Sequence, residues 1–247
     1  MGEPAFVDCH SHVVPSGDDG AQSLDEGSTL CREAALHGTA ILYATPHVSP
    51  YVPLTREREE EVREAFARLR AEAPLELRLG YELTPTAELL DEDPVRFRLE
   101  ETELVLVEVP FVGPTDLVFT LGDQIAEAEL TPLIGHPERT EAVLADPRLV
   151  DAFGERGWPL QVNTTSLLGR HGPEREALAW WLVESGRAAA VASDGHRTTR
   201  PARLDDGYEL VRARVGERAV GLFDGSALGL GSASPRPGSS RAATRGA

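Results

Sequence analysis

The sequence predicts an α/β fold in which a parallel sheet is covered by helices, a barrel being favoured over a doubly wound sheet. Three observations carry that reading. Seven short apolar runs recur along 247 residues with amphipathic stretches between them, the alternation expected of βα units. Most runs are apolar throughout, as in parallel strands buried on both faces. The length also suits one α/β barrel, which takes about 250 residues.

The elements follow in order. Residues 5–8, 40–44, 76–80, 104–107, 132–134, 160–162 and 188–192 are read as strands. Ser23-Leu-Asp-Glu26 is a capping box that opens a helix ending near Gly38. Residues 55–73 are Glu/Arg-rich and amphipathic and stop before Pro74. Further helices are read at 86–97, 115–129, 140–155, 174–186 and 205–216. Together these make one body over 1–224. The stretch 225–247 is rich in Gly, Ser, Pro and Ala. It lacks the apolar residues that offset ordering entropy, so a disordered tail is expected.

Formal net charge is −17, and all 24 basic residues are arginine. Such acidity argues against a nucleic-acid surface, which needs clustered cations, but leaves room for a phosphorylated substrate held by a few arginines and metals. Two cysteines, Cys9 and Cys31, cannot build a disulfide framework. The N-terminus enters a strand within five residues, and no apolar run approaches the roughly 18 residues of a membrane helix. A cytoplasmic protein without a membrane span is expected.

Nine residues able to bind metal sit at the ends of the apolar runs or in the loops just after them. They are His10, His12, Asp19, His47, Glu82, Glu108, His136, Asp194 and His196. That is the face on which barrel enzymes assemble their sites. Imidazole and carboxylate without cysteine suit Zn, Mn, Fe or Mg. Nine ligands exceed one ion, which points to a two- or three-metal hydrolytic site. His10 and His12, two apart on a strand end, share a face. Asp194-Gly-His196 repeats the spacing on the last strand, which neighbours the first in a closing barrel. Singly, Glu82 and Glu108 read as ordinary strand-end glutamates, and Asp19 suits the Asp-Asp-Gly turn itself; their weight comes from the set. Arg139 and Arg200 follow His136 and His196 by three and four residues, where guanidinium forks could pair phosphate oxygens. Of the other histidines, His37 reads as a helix cap before Gly38 and His171 as a loop residue near the pocket mouth. No Cys-x5-Arg loop exists, because Pro15 and His37 stand sixth after Cys9 and Cys31. A cysteinyl-phosphate route is therefore disfavoured.

The strings Asp8-Cys-His-Ser-His-Val-Val-Pro, Asp18-Asp-Gly, Ala44-Thr-Pro-His, Gly135-His-Pro-Glu-Arg and Ala192-Ser-Asp-Gly-His, followed by Arg200-Pro, resemble the PHP (polymerase and histidinol phosphatase) superfamily. Within it, the chain is most similar to the bacterial capsule-biosynthesis metal-dependent protein-tyrosine phosphatases. The resemblance runs from Asp8 to about Asp224. It implies a distorted seven-stranded parallel (β/α)7 barrel with up to three divalent ions. One would take His10, His12, Asp194 and a bridging Glu82; a second Glu82, Glu108 and His136; a third Asp19, His47 and His196. It also implies Arg139 and Arg200 on the phosphate, manganese among the usable metals, and a phosphotyrosine protein as partner, such as a bacterial tyrosine autokinase of polysaccharide export. Glutamate at 108 leans toward the tyrosine-phosphatase branch, since histidinol-phosphatase relatives tend to have histidine there. Tyr81, where small residues are usual, and Phe223-Asp-Gly-Ser near the end depart from the pattern. Three rivals stay open: a phosphatase of a small phosphate such as histidinol phosphate, a non-catalytic barrel that holds a phosphorylated partner, and an amidohydrolase-type enzyme.

Overall fold

In the computed structural model, which describes residues 5–230, each of the seven runs becomes a strand. Phe6–Ser11 (β1) leads to Leu24–Leu36 (α1), where Ser23 Oγ accepts from the Glu26 amide at 3.2 Å. Thr39–Ala44 (β2) is cut by Pro46 from a short continuation, His47–Val48 (β3). Arg56–Glu72 (α2) precedes Glu76–Leu79 (β4), which resumes after Gly80-Tyr81 as Glu82–Leu83 (β5). Then follow Leu104–Glu108 (β6), Asp116–Glu127 (α3), Thr131–Gly135 (β7), Glu141–Ala145 (α4) and Arg148–Glu155 (α5). Leu160–Asn163 (β8), Thr164–Leu167 (α6), Pro173–Glu184 (α7), Ala188–Ala192 (β9), Asp205–Val215 (α8) and Arg218–Phe223 (α9) complete the order.

All pairs between these described strands are parallel. One sheet has the order β1-β2-β4 and the other β3-β5-β6-β7-β8-β9. They are joined along the interrupted strands, where Gly80 N donates to Ala44 O at 2.9 Å and Glu82 N to Pro46 O at 3.2 Å. Two buried apolar clusters lie on opposite faces. The larger is covered by the helices and includes Leu42, Val105, Ile134, Val162 and Val191. The smaller takes the alternate positions Val7, Cys9, Ile41, Tyr43, Leu104, Leu106, Leu133, Ala190 and Ala192, so both faces of the sheets are buried, as their apolar sequences require.

Two expected helices differ. Residues 86–97 form 3-10 turns at Glu88–Asp91 and Pro94–Phe97 instead of one α-helix. Pro94 has no N–H to continue a helix, and Asp93 Oδ1 accepts from Val95 N at 3.0 Å to start a new turn. The stretch 140–155 splits into α4 and α5 at Asp146-Pro147 for the same reason. Order also continues past 224. Ser226–Leu228 makes a 3-10 turn, and Leu230 is buried in the smaller cluster beside Val7. The body therefore reaches Leu230, and the rest of the expected tail, 231–247, lies outside the described residues.

One close approach fixes where α3 sits. A Cβ on Gly122 would lie 2.2 Å from the Trp158 ring, and Trp158 is buried against Phe119 and Phe153. Gly122→Val is expected to cost about 2–3 kcal/mol by overpacking. The urea midpoint should fall with no change in slope; an unshifted midpoint would refute the tight contact.

Candidate metal centre

The smaller apolar cluster leads directly into a polar one. Along β6 the alternation Leu104, Leu106 continues to Glu108. Along β9, Ala190 and Ala192 continue to Asp194, and along β2 Ile41 and Tyr43 lead through Thr45 to His47. Strand β1 reaches the same place through a register shift between Asp8 and Ser11. Such a bulge re-aims side chains: Cys9 stays in the apolar cluster while His10 and His12 turn toward Glu82.

Glu82, fully buried, is the hub. Its Oε2 lies 3.1 Å from His10 Nε2, 3.2 Å from His12 Nε2 and 3.0 Å from His47 Nδ1, and its Oε1 lies 2.9 Å from His136 Nε2. Asp194 Oδ1 is 3.6 Å from His10 Nε2, 3.4 Å from His12 Nε2 and 3.3 Å from His196 Nδ1. Asp19 Oδ1 is 3.3 Å from His47 Nε2 and 3.4 Å from His196 Nε2. Among the described residues, three triads have ligand atoms within 4.8 Å of one another: His10/His12/Asp194, His10/Glu82/His136 and His12/His47/His196. Glu108 belongs to none of these triads; its Oε1 accepts a short hydrogen bond from Thr84 Oγ1 at the edge of the group.

The donor set fits divalent cations. His136 Nδ1 is buried without a hydrogen-bond partner among the described residues, and His12 Nδ1 has Asp18 Oδ2 no closer than 3.8 Å; a buried group left unsatisfied costs about 1–3 kcal/mol. His10 Nε2 and His12 Nε2 face one another at 3.2 Å. Burial alone would lower both pKa values. Carboxylates reverse it: Glu82 and Asp194 raise His10, and Asp18, Asp194 and Glu82 hold His12 well above the ordinary imidazole value. The imidazoles in turn hold Glu82 and Asp194 well below the carboxylate range despite burial. A cation that takes neutral imidazole would compete with the protons on His10 and His12.

A second layer, unpredicted by the sequence reading, orients the first. His10 Nδ1 is 3.0 Å from Gln161 Oε1, and Gln161 Nε2 donates to Asn163 Oδ1 at 2.8 Å. Asn163 Nδ2 donates to Asp194 Oδ2 at 2.6 Å. Buried Glu138 accepts from Asn163 N at 3.0 Å and Ser166 Oγ at 2.8 Å. Asp18 Oδ2 accepts from His47 N at 3.0 Å and lies 3.8 Å from His12 Nδ1. Arg58 ties the neighbouring loops together by donating to the carbonyls of Ser16, Val52 and His47. The available signal was the pair of polar residues in Leu160-Gln-Val-Asn, a strand buried on both faces. His136 and Asp194 adopt φ of +31° and +51°, strained for residues with a Cβ and typical of functional positions.

Both expected arginines reach the cluster. Arg139 Nη1 donates to Asp194 Oδ2 at 2.8 Å, and Arg200 Nη2 pairs with the same oxygen. Tyr81 points elsewhere, packing edge-on against Phe97. His37 is the C-cap of α1 and pairs with Asp205 at 2.7 Å, away from the centre. His171 stands at the mouth with Nε2 2.9 Å from Thr165 Oγ1. Burial, then Arg139 and Arg200, lowers its pKa to about 4. The imidazole should stay neutral at neutral pH, and stability should fall as pH drops from the unfolded value toward 4. An NMR titration is expected to place its midpoint near 4; one near 6.5 would contradict this packing.

The profile described as capsular polysaccharide synthesis, CpsB/CapC, matches residues 6–223. Tyrosine-protein phosphatase YwqE of Bacillus subtilis is 29% identical over 198 residues, 77% of each chain. Tyrosine-protein phosphatase CpsB of Streptococcus agalactiae is 26% identical over 233 residues, covering 88% of this chain and 95% of that one. A solved chain from work on YwqE of Bacillus subtilis and CpsB of Streptococcus pneumoniae, described as metal-dependent tyrosine phosphatases, superposes with a TM-score of 0.80 at 26% identity. The superposition covers 90% of this chain and 93% of that one. With the profile spanning nearly the whole described body, the chain belongs to the CpsB/CapC family of capsular polysaccharide synthesis.

Proposed function

We propose that this chain is a metal-dependent protein-tyrosine phosphatase. The observation that carries the proposal is the convergence of His10, His12, His47, Glu82, His136, Asp194 and His196 in one cluster whose Asp194 also holds Arg139 and Arg200. The names of the relatives support the same reading. Two or three divalent ions, Mn, Fe, Zn or Mg, would be held as His10/His12/Asp194 with Glu82, Glu82/Glu108/His136, and Asp19/His47/His196. When bound, the ions polarise phosphoryl oxygens and lower the pKa of water. Arg139 and Arg200 orient the phosphate and stabilise charge on its oxygens. Gln161 fixes the ring of His10, while Asn163, itself braced by Glu138, holds Asp194 between the two arginines.

We also infer a seven-stranded barrel. The first and last strands approach, with His12 N donating to Gly195 O at 2.7 Å and Asp194 N to His10 O at 3.0 Å. One side-chain parity of β1, β2, β6, β7 and β9 gathers into a single cluster, as an interior does. The two ordered cysteines are buried and free, which suits the cytoplasm, and no described helix is long and apolar enough to cross a membrane. A phosphotyrosine protein, such as a tyrosine autokinase, is the proposed substrate.

The test is kcat/KM with Mn²⁺ on a phosphotyrosine peptide beside histidinol phosphate. Preference for the peptide is expected. Preference for histidinol phosphate would move the chain to a small-phosphate reading on the same scaffold.

A further inference from the structure

Two large apolar side chains stand exposed at the mouth of this charged centre. Phe111 is 43% and Val112 69% exposed, in the loop between β6 and α3. With Arg139, Glu141, His171 and Arg175 they line a pocket of about 250 Å³. The loop is held from below: Glu141 N donates to Phe111 O at 3.0 Å. The Phe111 ring stacks on His136, centroids 5.7 Å apart and planes 23° from parallel, and the Arg139 guanidinium lies 4.7 Å from its centroid. Phe111 therefore packs on one residue of the candidate metal cluster and on one of the two arginines paired with Asp194.

We propose that Phe111, flanked by Val112, is the subsite for the aromatic ring of the substrate and makes the enzyme select aryl over alkyl phosphates. The inference rests on the phosphatase reading above and names the specificity element of that same site. A group bound by Arg139 through its phosphate must place whatever is bonded to the ester oxygen within a few ångströms of that guanidinium, which is where the exposed ring lies. An aryl ester offers a flat apolar face to Phe111, with offset or edge stacking adding about 0.5–1.5 kcal/mol beyond area burial. A short alkyl ester leaves the ring and Val112 in water. Exposed apolar groups beside charged ones are what a ligand pocket with an aromatic occupant presents.

The experiment measures kcat/KM for phenyl phosphate and glycerol phosphate with Mn²⁺ on the full chain and on Phe111→Ala, Phe111→Leu and Phe111→Tyr. The aryl/alkyl ratio is expected to fall about tenfold in Phe111→Ala, fall by less in Phe111→Leu, and be kept in Phe111→Tyr. Because a ratio is read, general damage to the site cancels. Phe111→Leu retains an apolar contact on His136, so a merely supporting role would leave its ratio at the unsubstituted value. An equal loss on both esters, or an unaltered ratio in Phe111→Ala, overturns the subsite while the phosphatase reading stands. Failure of the unsubstituted chain to turn over phenyl phosphate overturns both.

Discussion

Asp194→Asn is expected to lower turnover of a phosphotyrosine peptide by on the order of 10³-fold. Asparagine keeps the volume but removes the charge on which the centre depends. One carboxylate oxygen faces His10, His12 and His196; the other receives Arg139, Arg200 and the Asn163 amide. Without that charge two guanidiniums lose their shared partner, and the amide nitrogen of the new side chain opposes donors on one side or imidazoles on the other. Buried charges left unpaired cost several kcal/mol, so both cation binding and arginine placement suffer. The check is kcat at saturating Mn²⁺, with circular dichroism to confirm the fold. A loss under tenfold would mean that Asp194 neither binds an ion nor positions the arginines.

Glu82→Ala should remove most of the metal-dependent stabilisation. In the unsubstituted chain, Mn²⁺ at 100 times its Kd is expected to add about 2.7 kcal/mol, which is roughly 5–10 °C in Tm for a chain of this size. Glu82 touches four imidazoles through its two oxygens, so no other single side chain could replace its share of the coordination. In the variant the Mn²⁺-induced shift should drop to about 1 °C or less, measured as the difference between melts with metal and with chelator. Reading the difference, not the absolute Tm, separates lost binding from any direct cost of the substitution. A shift equal to that of the unsubstituted chain would place the ions elsewhere.

The strands carrying these residues were legible because parallel strands buried on both faces write themselves as unbroken apolar runs, as Leu104-Val-Leu-Val does. The polar residue ending a run then points to where side chains meet: His136 and Asp194 fall in the triads, while Glu108 lies at their edge. Where the chain deviates, local chemistry overrode the pattern. Pro46 and the Gly80-Tyr81 pair hide the two-residue strands that hold His47 and Glu82, and Pro94 and Pro147 break helices whose periodicity runs on past them. Leu228 and Leu230 read as tail because six residues are too short to show periodicity, yet they pack on the small cluster near Val7. Gln161, Asn163 and Glu138 escaped notice for another reason. Their role is to hold other side chains, and apart from the Gln161–Asn163 pair itself their partners lie 25 to 151 residues away in the chain, which leaves no local spacing.

The central claim is that this cluster performs phosphotyrosine hydrolysis through bound metal. Phosphate release from a phosphotyrosine peptide should be followed with the purified chain as isolated, after exhaustive chelation, and after Mn²⁺ is restored. Turnover that disappears on chelation and returns with Mn²⁺ is the result predicted here. Turnover that survives chelation, or none under any of the three conditions, would contradict it.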